Sequence, residues 1–363
     1  MAVKSVDRKL LQQLIETPET AIEHIDLVYV TEKHLSITRQ KQQKDFVYLS
    51  SKGPLTQKEQ LERIQKLVIP PAWEDVRITH LANGHLQAIG TDEKQRKQYR
   101  YHDLWTKVRN QTKFYRMAFF AKSLPGIRKQ IEKDLRQRGW PQSKMMALII
   151  KLMEETHIRI GNEQYARRNK SYGLTTLRKK HVEVYKDGIR FHFMGKKGKE
   201  HKITLKNKRL IKLINKCEEI PGWELFKYFD DNGERQTVDS EMVNSYIKDI
   251  SGYSFSAKDF RTWAASVVFF DTLMHLELPE NEKEIHKNAL TAFDAAADAL
   301  GNTRNVCRKY YVHPLLVSDY ENGLLKDSFK RADRCRSSQY FSASEKAILT
   351  RIEQFDPLSG FKD

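Results

Sequence analysis

The sequence predicts an α+β protein: a small β-rich amino-terminal domain, then a mainly helical domain that contains a β-hairpin. Three observations carry this expectation. Short runs of alternating apolar and polar residues crowd roughly the first hundred positions, the pattern of half-buried strands. From Trp105 onward apolar residues recur at spacings of three and four, the period of a helix with one buried face. A single later stretch, His181 to Leu205, returns to alternation. A length of 363 residues suits two domains, each with its own core.

In chain order, residues 1–24 are polar with scattered leucines and read as an amino-terminal arm. Leu27–Val30, Leu35–Thr38 and Phe46–Leu49 read as strands of a small antiparallel sheet. Thr56 to Leu67 reads as a helix burying Leu61, Ile64 and Leu67, with Thr56 as its cap and Glu59 three residues on. Ile69-Pro-Pro-Ala-Trp73 ends it, because proline cannot extend a helix and pushes its predecessor toward extended geometry. Asp75–Thr79 and His85–Thr91 follow as strands joined by an Asn83-Gly84 turn. Lys94-Gln-Arg-Lys-Gln-Tyr-Arg-Tyr-His102 interleaves basic and aromatic residues, as either a solvated edge strand or a surface that tracks phosphates.

The domain boundary is placed near residue 105, giving a β-rich domain over 25–104, a helical domain over 105–320 and a carboxyl tail over 321–363. Trp105–Phe120, Pro125–Arg138, Ser143–Arg168, Lys206–Cys217, Asp239–Ile250, Ser256–Leu276 and Asn281–Leu300 read as helices of the second domain. Its β interlude turns at Lys186-Asp-Gly188 and again at a basic tip, Gly195-Lys-Lys-Gly-Lys199. Gly301 stops the last long helix, and Thr303 caps a short one that bears two tyrosines. The tail carries one further helix near Ser342–Gln354.

Bulk composition narrows the partner. The formal charge is +17 and the pI near 9.5, a field that favours a polyanion through phosphate contacts and counterion release. Anionic membrane is the rival, but no basic amphipathic helix stands at an end of the chain and no run approaches the ~20 apolar residues of a span. The first residues lack the apolar core of a signal peptide, so a cytoplasmic location is expected. Cys217, Cys307 and Cys335 lie far apart and form neither a disulfide framework nor a metal-ligand spacing. The histidines show no zinc-type pairing. No metal and no cofactor is expected, and the partner is nucleic acid.

Chemistry centres on Ala299–Pro314, where Tyr310 and Tyr311 stand together in a basic segment closed by His313-Pro314. The proline puts at least one phenol near an element end. Ahead of them stand Arg159, in a stretch read as helical; Lys196, at the hairpin tip; Arg261, at the start of a largely apolar helix; and Asn302, just past Gly301. Each has a structural reading as well: the tyrosines as packing residues, Arg159 and Arg261 as partners of Glu163 and Asp259, Lys196 as a solvated turn lysine. Together they make a chemical set. A phenol attacking a phosphodiester builds negative charge on the non-bridging oxygens, which two guanidiniums and an amide can hold. The leaving 5′-oxygen needs a proton, which a lysine can deliver.

The order Arg, Lys, Arg, Asn, Tyr, set in Arg-Ile-Gly-Asn-Glu, Gly-Leu-Thr-Thr-Leu, Phe-Met-Gly-Lys, Lys-Asp-Phe-Arg-Thr-Trp and Cys-Arg-Lys-Tyr-Tyr-Val-His-Pro, resembles the type IB DNA topoisomerases, and most of all their compact bacterial and poxvirus-like branch. Lys196 follows Arg159 by 37 positions, and Tyr311 follows Arg261 by 50 and Asn302 by nine, as in that branch. These separations select Tyr311 over Tyr310. The likeness runs from about residue 25 to about residue 320 and includes Ile-Pro-Pro-Ala-Trp and Lys-Gln-Tyr-Arg-Tyr-His. Some relatives carry histidine where Asn302 stands; asparagine donates a neutral hydrogen bond and cannot act as an acid.

The resemblance implies a fold of the tyrosine recombinase and type IB topoisomerase kind. Its amino domain and helical catalytic domain would close as a clamp around double-stranded DNA, in a monomer associated with the nucleoid. Tyr311 would cut one strand and hold its 3′-phosphate, the free end would rotate, and the nick would reseal without ATP or a required metal. Supercoils of either sign would relax. Tyr165 matches a family position that contacts DNA near the cut, and Thr91, Arg96 and Tyr99 are the expected contacts of the amino domain. Two rival readings are a tyrosine recombinase and a non-catalytic basic DNA-binding protein. Recombinases usually place histidine three residues before the second arginine, where this chain has Lys258.

Overall fold

The computed structural model describes residues 13, 22–43, 45–276, 279 and 281–356. Most of the arm read over residues 1–24 therefore lies outside the described residues. The chain divides into two compact units, one of residues 1–116 with 356–363 and one of residues 117–355.

The first unit is built on a six-stranded antiparallel sheet of order β3-β2-β1-β4-β5-β6. Its strands are β1 Ile37–Gln42, β2 Asp45–Ser50, β3 Gly53–Pro54, β4 Glu74–Ile78, β5 Leu86–Thr91 and β6 Lys97–Tyr101. One helix, α1 Lys58–Lys66, lays Ile64 onto Ile37, Val76, Ile78 and Ala88. Arg63 on the same helix anchors it by donating to the Gln87 side chain at 2.5 Å and the Thr79 carbonyl at 2.6 Å. The helix begins one residue after the expected cap, with Gln57 at the cap position. Leu27–Val30 is not a strand; Val28 makes one bridge, to Gly84, and Leu27 packs instead with Ile22, Ile25, Trp105 and Val108. An alternating pattern there reflects burial on two sides of a coil.

The basic-aromatic stretch is the edge strand β6, with Tyr99 exposed and stacked on Tyr101. Thr91 ends β5 opposite Lys97. Arg96 sits on the turn between β5 and β6, where it pairs with Asp92 at 2.5 Å.

The second unit is mainly helical. Helix α2, Asp103–Asp134, begins in the first unit and runs through Pro125 without interruption, where the sequence predicts two helices. The proline removes one backbone donor, but Ala121, Leu124, Ile127 and Ile131 on either side of it are all buried, and that packing outweighs one missing bond. Helix α3, Gln142–Thr156, is buried on every side from Met145 to Ile150 and forms the centre of the core. The expected helix over 143–168 breaks there. His157 takes the left-handed conformation at φ 53° and closes α3 by donating to the Met153 carbonyl. Asn162 then caps a new helix, α4 Glu163–Asn169.

A three-stranded antiparallel sheet follows: β7 Val182–Tyr185, β8 Gly188–Met194 and β9 Glu200–Leu205. After α5 Lys208–Glu218 comes a small hairpin that the sequence does not signal, β10 Lys227–Phe229 and β11 Arg235–Thr237. Helices α6 Ser240–Ser251, α7 Ala257–His275, α8 Glu282–Leu300, α9 Arg304–Tyr310, α10 Pro314–Glu321, α11 Lys326–Arg334 and α12 Ala343–Ile352 complete the unit. Asp239 caps α6 and Thr303 caps α9, as their positions predict.

Residues 321–355 are part of this unit. Glu345 on α12 receives both Arg128 amino groups at 2.8 and 2.9 Å and the Trp263 indole N–H at 2.8 Å. Arg128 also donates to Glu154 and to the Tyr340 carbonyl. The network joins α2, α3, α7 and α12 around side chains that are 20% and 7% exposed. Breaking a buried pair leaves a charge without compensation, so Arg128→Ala is expected to destabilise the larger unit by about 3 kcal/mol in denaturant unfolding.

Burial drives the Glu345 carboxyl up, yet the Arg128 hydrogen bonds and charge, the Ser342 N–H and Trp263 outweigh it and hold the carboxyl below its usual range. Its contribution to stability is therefore present above the ordinary carboxylate value of ~4.3 and is lost as pH falls through the lowered folded value.

Candidate active site

The structure brings Arg159, Arg261, Asn302 and Tyr311 together and sets Lys196 in the wall of the same region. Arg159 lies in the loop between α3 and α4, with its backbone held rather than free. The Arg159 and Ile160 carbonyls accept from Leu174 N–H at 2.8 Å and Thr175 N–H at 2.7 Å. The two motifs Arg-Ile-Gly-Asn-Glu and Gly-Leu-Thr-Thr-Leu are thus one structural object. They meet so closely that a β-carbon on Gly173 would lie 2.5 Å from the Arg159 carbonyl oxygen. Only glycine permits that approach.

Arg261, near the start of α7, is 5% exposed. Its guanidinium donates to the His157 carbonyl and, at 2.8 Å, to the Leu300 carbonyl. The Tyr311 side chain lies beside it. Arg159 donates to the Asn302 Oδ1 at 2.5 Å. The acidic residues weighed as structural partners are engaged elsewhere: Glu163 pairs with Arg167 at 2.9 Å, and Asp259 accepts from the Ser256 N–H and hydroxyl at the start of α7. Burial, and then the charge of Arg159, push the Arg261 guanidinium down to about 10, with Tyr311 opposing. Two like charges held close together, one of them buried, repel each other, and an anion between them would relieve the cost.

Tyr311 is the residue just past α9. It is half-buried, whereas Tyr310 is exposed. The segment is pinned to α7 through Ser266, whose hydroxyl accepts from the His313 N–H at 3.0 Å and lies 3.4 Å from the Tyr311 carbonyl. His313 is buried and caps α10, with Pro314 as its first residue, an arrangement suited to proline. Asn302 follows Gly301, which ends α8 in the left-handed conformation at φ 59°.

Lys196 stands at the tip between β8 and β9 and is exposed. It lines a cleft of about 240 Å³ together with Arg159, His157, His201 and Gly301. Tyr165, on α4, is exposed on the helix that follows Arg159. Thr91, Arg96 and Tyr99 belong to the first unit, at the β5–β6 end described above.

Three neighbours of this cluster are not among the site residues that the sequence predicts. Burial, then Arg261, hold the His157 imidazole down at about 4. Burial, then Arg159, Lys199 and Arg261, do the same to His201, also to about 4. Cys307, read from sequence as an ordinary thiol, is fully buried against Arg261, Arg159 and Asn302, and burial pushes it up to about 11. Its position four residues before Tyr311 is a signal of proximity along a helix; the two histidines carry no such signal.

Comparison with known proteins agrees with this geometry. Residues 94–333 match the family described as eukaryotic DNA topoisomerase I, catalytic core, and residues 45–92 match the bacterial DNA topoisomerase IB amino-terminal domain. The chain is 36% identical to DNA topoisomerase 1B of Acanthamoeba polyphaga mimivirus over 302 residues, covering 80% of this chain and 90% of that protein. It is 24% identical to DNA topoisomerase 1B of Vaccinia virus (strain Copenhagen) over 253 residues, covering 68% and 74%. A buried Arg261 beside a half-buried Tyr311, with Arg159 next to it, together with a β-rich and a helical region that each match the corresponding family model and 36% identity to a relative covered over 90% of its length, places this chain in the type IB DNA topoisomerase family.

Proposed function

We propose that Tyr311 is the nucleophile of a reaction that cuts one DNA strand, lets it rotate and reseals it, and that Arg159, Arg261, Asn302 and Lys196 serve it in distinct roles. The phenol oxygen attacks the phosphorus of one phosphodiester; the P–O5′ bond breaks; a 3′-phosphotyrosyl bond forms. The phenol loses its proton to solvent, and the departing 5′-oxygen gains one from Lys196. Arg159 and Arg261 hydrogen-bond the non-bridging oxygens as charge builds there. Asn302 has its Oδ1 engaged by Arg159, which leaves its amide nitrogen to donate to the phosphate. The phosphotyrosyl bond conserves the energy of the broken link, so the 5′-hydroxyl can reverse the step after rotation without ATP. Positive and negative supercoils both relax.

The observation that carries this reading is the closeness of two like-charged guanidiniums, Arg159 and Arg261, with the Tyr311 phenol beside the second. A tetrahedral phosphate between them would turn their repulsion into binding.

The β-rich region over 25–104 is proposed as one half of a clamp on double-stranded DNA, with Thr91, Arg96 and Tyr99 as its contacts and Tyr165 touching DNA near the cut. In this reading the enzyme acts as a monomer in the cytoplasm on nucleoid DNA. No described helix is long and apolar enough to cross a membrane.

Purified protein is expected to relax supercoiled plasmid in EDTA without ATP. Unchanged plasmid under conditions where the protein demonstrably binds DNA would overturn the reading.

A further inference from the structure

The hairpin that carries Lys196 is held at its neck by the Tyr172 N–H on the Met194 carbonyl at 2.8 Å, by the Ser171 hydroxyl, and by the ring of His201. His201, the second residue of β9, pairs with Phe193 on β8 and stacks on its ring at 5.1 Å. The imidazole then fills the space between two glycines. A β-carbon on Gly195 would lie 2.5 Å from its Cδ2, and one on Gly301 would lie 2.5 Å from its Cε1. Gly195 immediately precedes Lys196; Gly301 closes α8 and immediately precedes Asn302. The tip beyond the wedge is a closed turn, with Gly195 N–H on the Lys199 carbonyl at 2.7 Å and the Ser171 hydroxyl on the Gly195 carbonyl at 2.6 Å.

We propose that His201 is a positioning residue for Lys196: its ring is the wedge that seats the hairpin neck at Gly195 against the α8 cap at Gly301. This rests on the assignment of Lys196 as the acid given above. The ring acts by shape. With burial and three nearby cations holding it near 4, it is neutral at ordinary pH and carries no proton to give. A lysine on a freely swinging tip would reach the leaving oxygen only part of the time, and misplacement on the order of 1 Å is enough to cost up to about a hundredfold.

Two readouts test this on the full chain. The first is single-turnover cleavage of a DNA duplex whose scissile 5′-oxygen is ordinary or replaced by sulfur, a leaving group that needs little protonation. His201→Ala is expected to slow the ordinary substrate by about tenfold or more and the sulfur substrate by less than about threefold. His201→Phe, which refills the space and can stack on Phe193, should restore the ordinary rate to within about threefold. Gly195→Ala pushes the same ring from the other side on an extended backbone (φ −100°); it should be slow alone and add nothing in the His201→Ala background.

The second readout is hydrogen exchange at residues 195–199, expected to accelerate in His201→Ala and not in His201→Phe. Unchanged exchange and unchanged cleavage in His201→Ala would overturn the proposal, as would equal losses on both substrates with Lys196→Ala showing the sulfur rescue. If Lys196→Ala shows no sulfur rescue, the acid assignment fails, and the exchange data still decide whether His201 seats the hairpin.

Discussion

Tyr311→Phe is expected to abolish both plasmid relaxation and the covalent protein–DNA adduct, while Tyr310→Phe keeps both within about threefold of the parent. The two residues are adjacent in sequence and differ entirely in placement. Tyr310 closes α9 with its ring exposed and the Lys309 ammonium 5.4 Å above it. Tyr311 leaves the helix at φ −124°, ψ −50° and reaches the buried Arg261. Removing its oxygen removes the atom that would bond phosphorus, so no residual adduct should remain after denaturation in detergent. An adduct that persists in Tyr311→Phe and disappears in Tyr310→Phe would reverse the assignment.

Lys196→Ala is expected to slow cleavage of an ordinary substrate by about a hundredfold or more, the range of a positioned acid, and to spare a substrate with a 5′-sulfur leaving group. The lysine stands on an exposed tip and lines the cleft that Arg159 also lines. It is therefore placed to meet a ligand and not to support the core, and the variant should unfold at the same denaturant concentration as the parent. Equal losses on both substrates would mean that the ammonium holds the phosphate instead of protonating the leaving group.

Much of the scaffold is legible from local pattern. Asp239 and Thr303 cap the helices that their positions announce, because capping is a contact between near neighbours. The β7–β8–β9 interlude likewise appears where alternation returns. The misreadings share a cause. Pro125 lies inside a helix because buried neighbours on both sides outweigh one lost bond. Arg159 sits in a loop although apolar spacing runs through it, because His157 adopts the left-handed conformation and Gly173, having no β-carbon, lets the two segments meet. The carboxyl stretch looked like a tail because its anchor, Glu345, meets Arg128 across 217 positions.

The sequence by itself determined which residues can do the chemistry: two arginines, a lysine, an amide and a phenol, in an order and at separations that match one family. Those are covalent facts, and the backbone carries them whatever the fold. Only the tertiary structure decided how the arginines are held, with Arg261 buried on two carbonyls and Arg159 on Asn302. It alone revealed His157, His201 and Cys307 around them. A charge with no carboxylate beside it and a ring wedged between two glycines are products of packing, in which residues a hundred positions apart exclude water together.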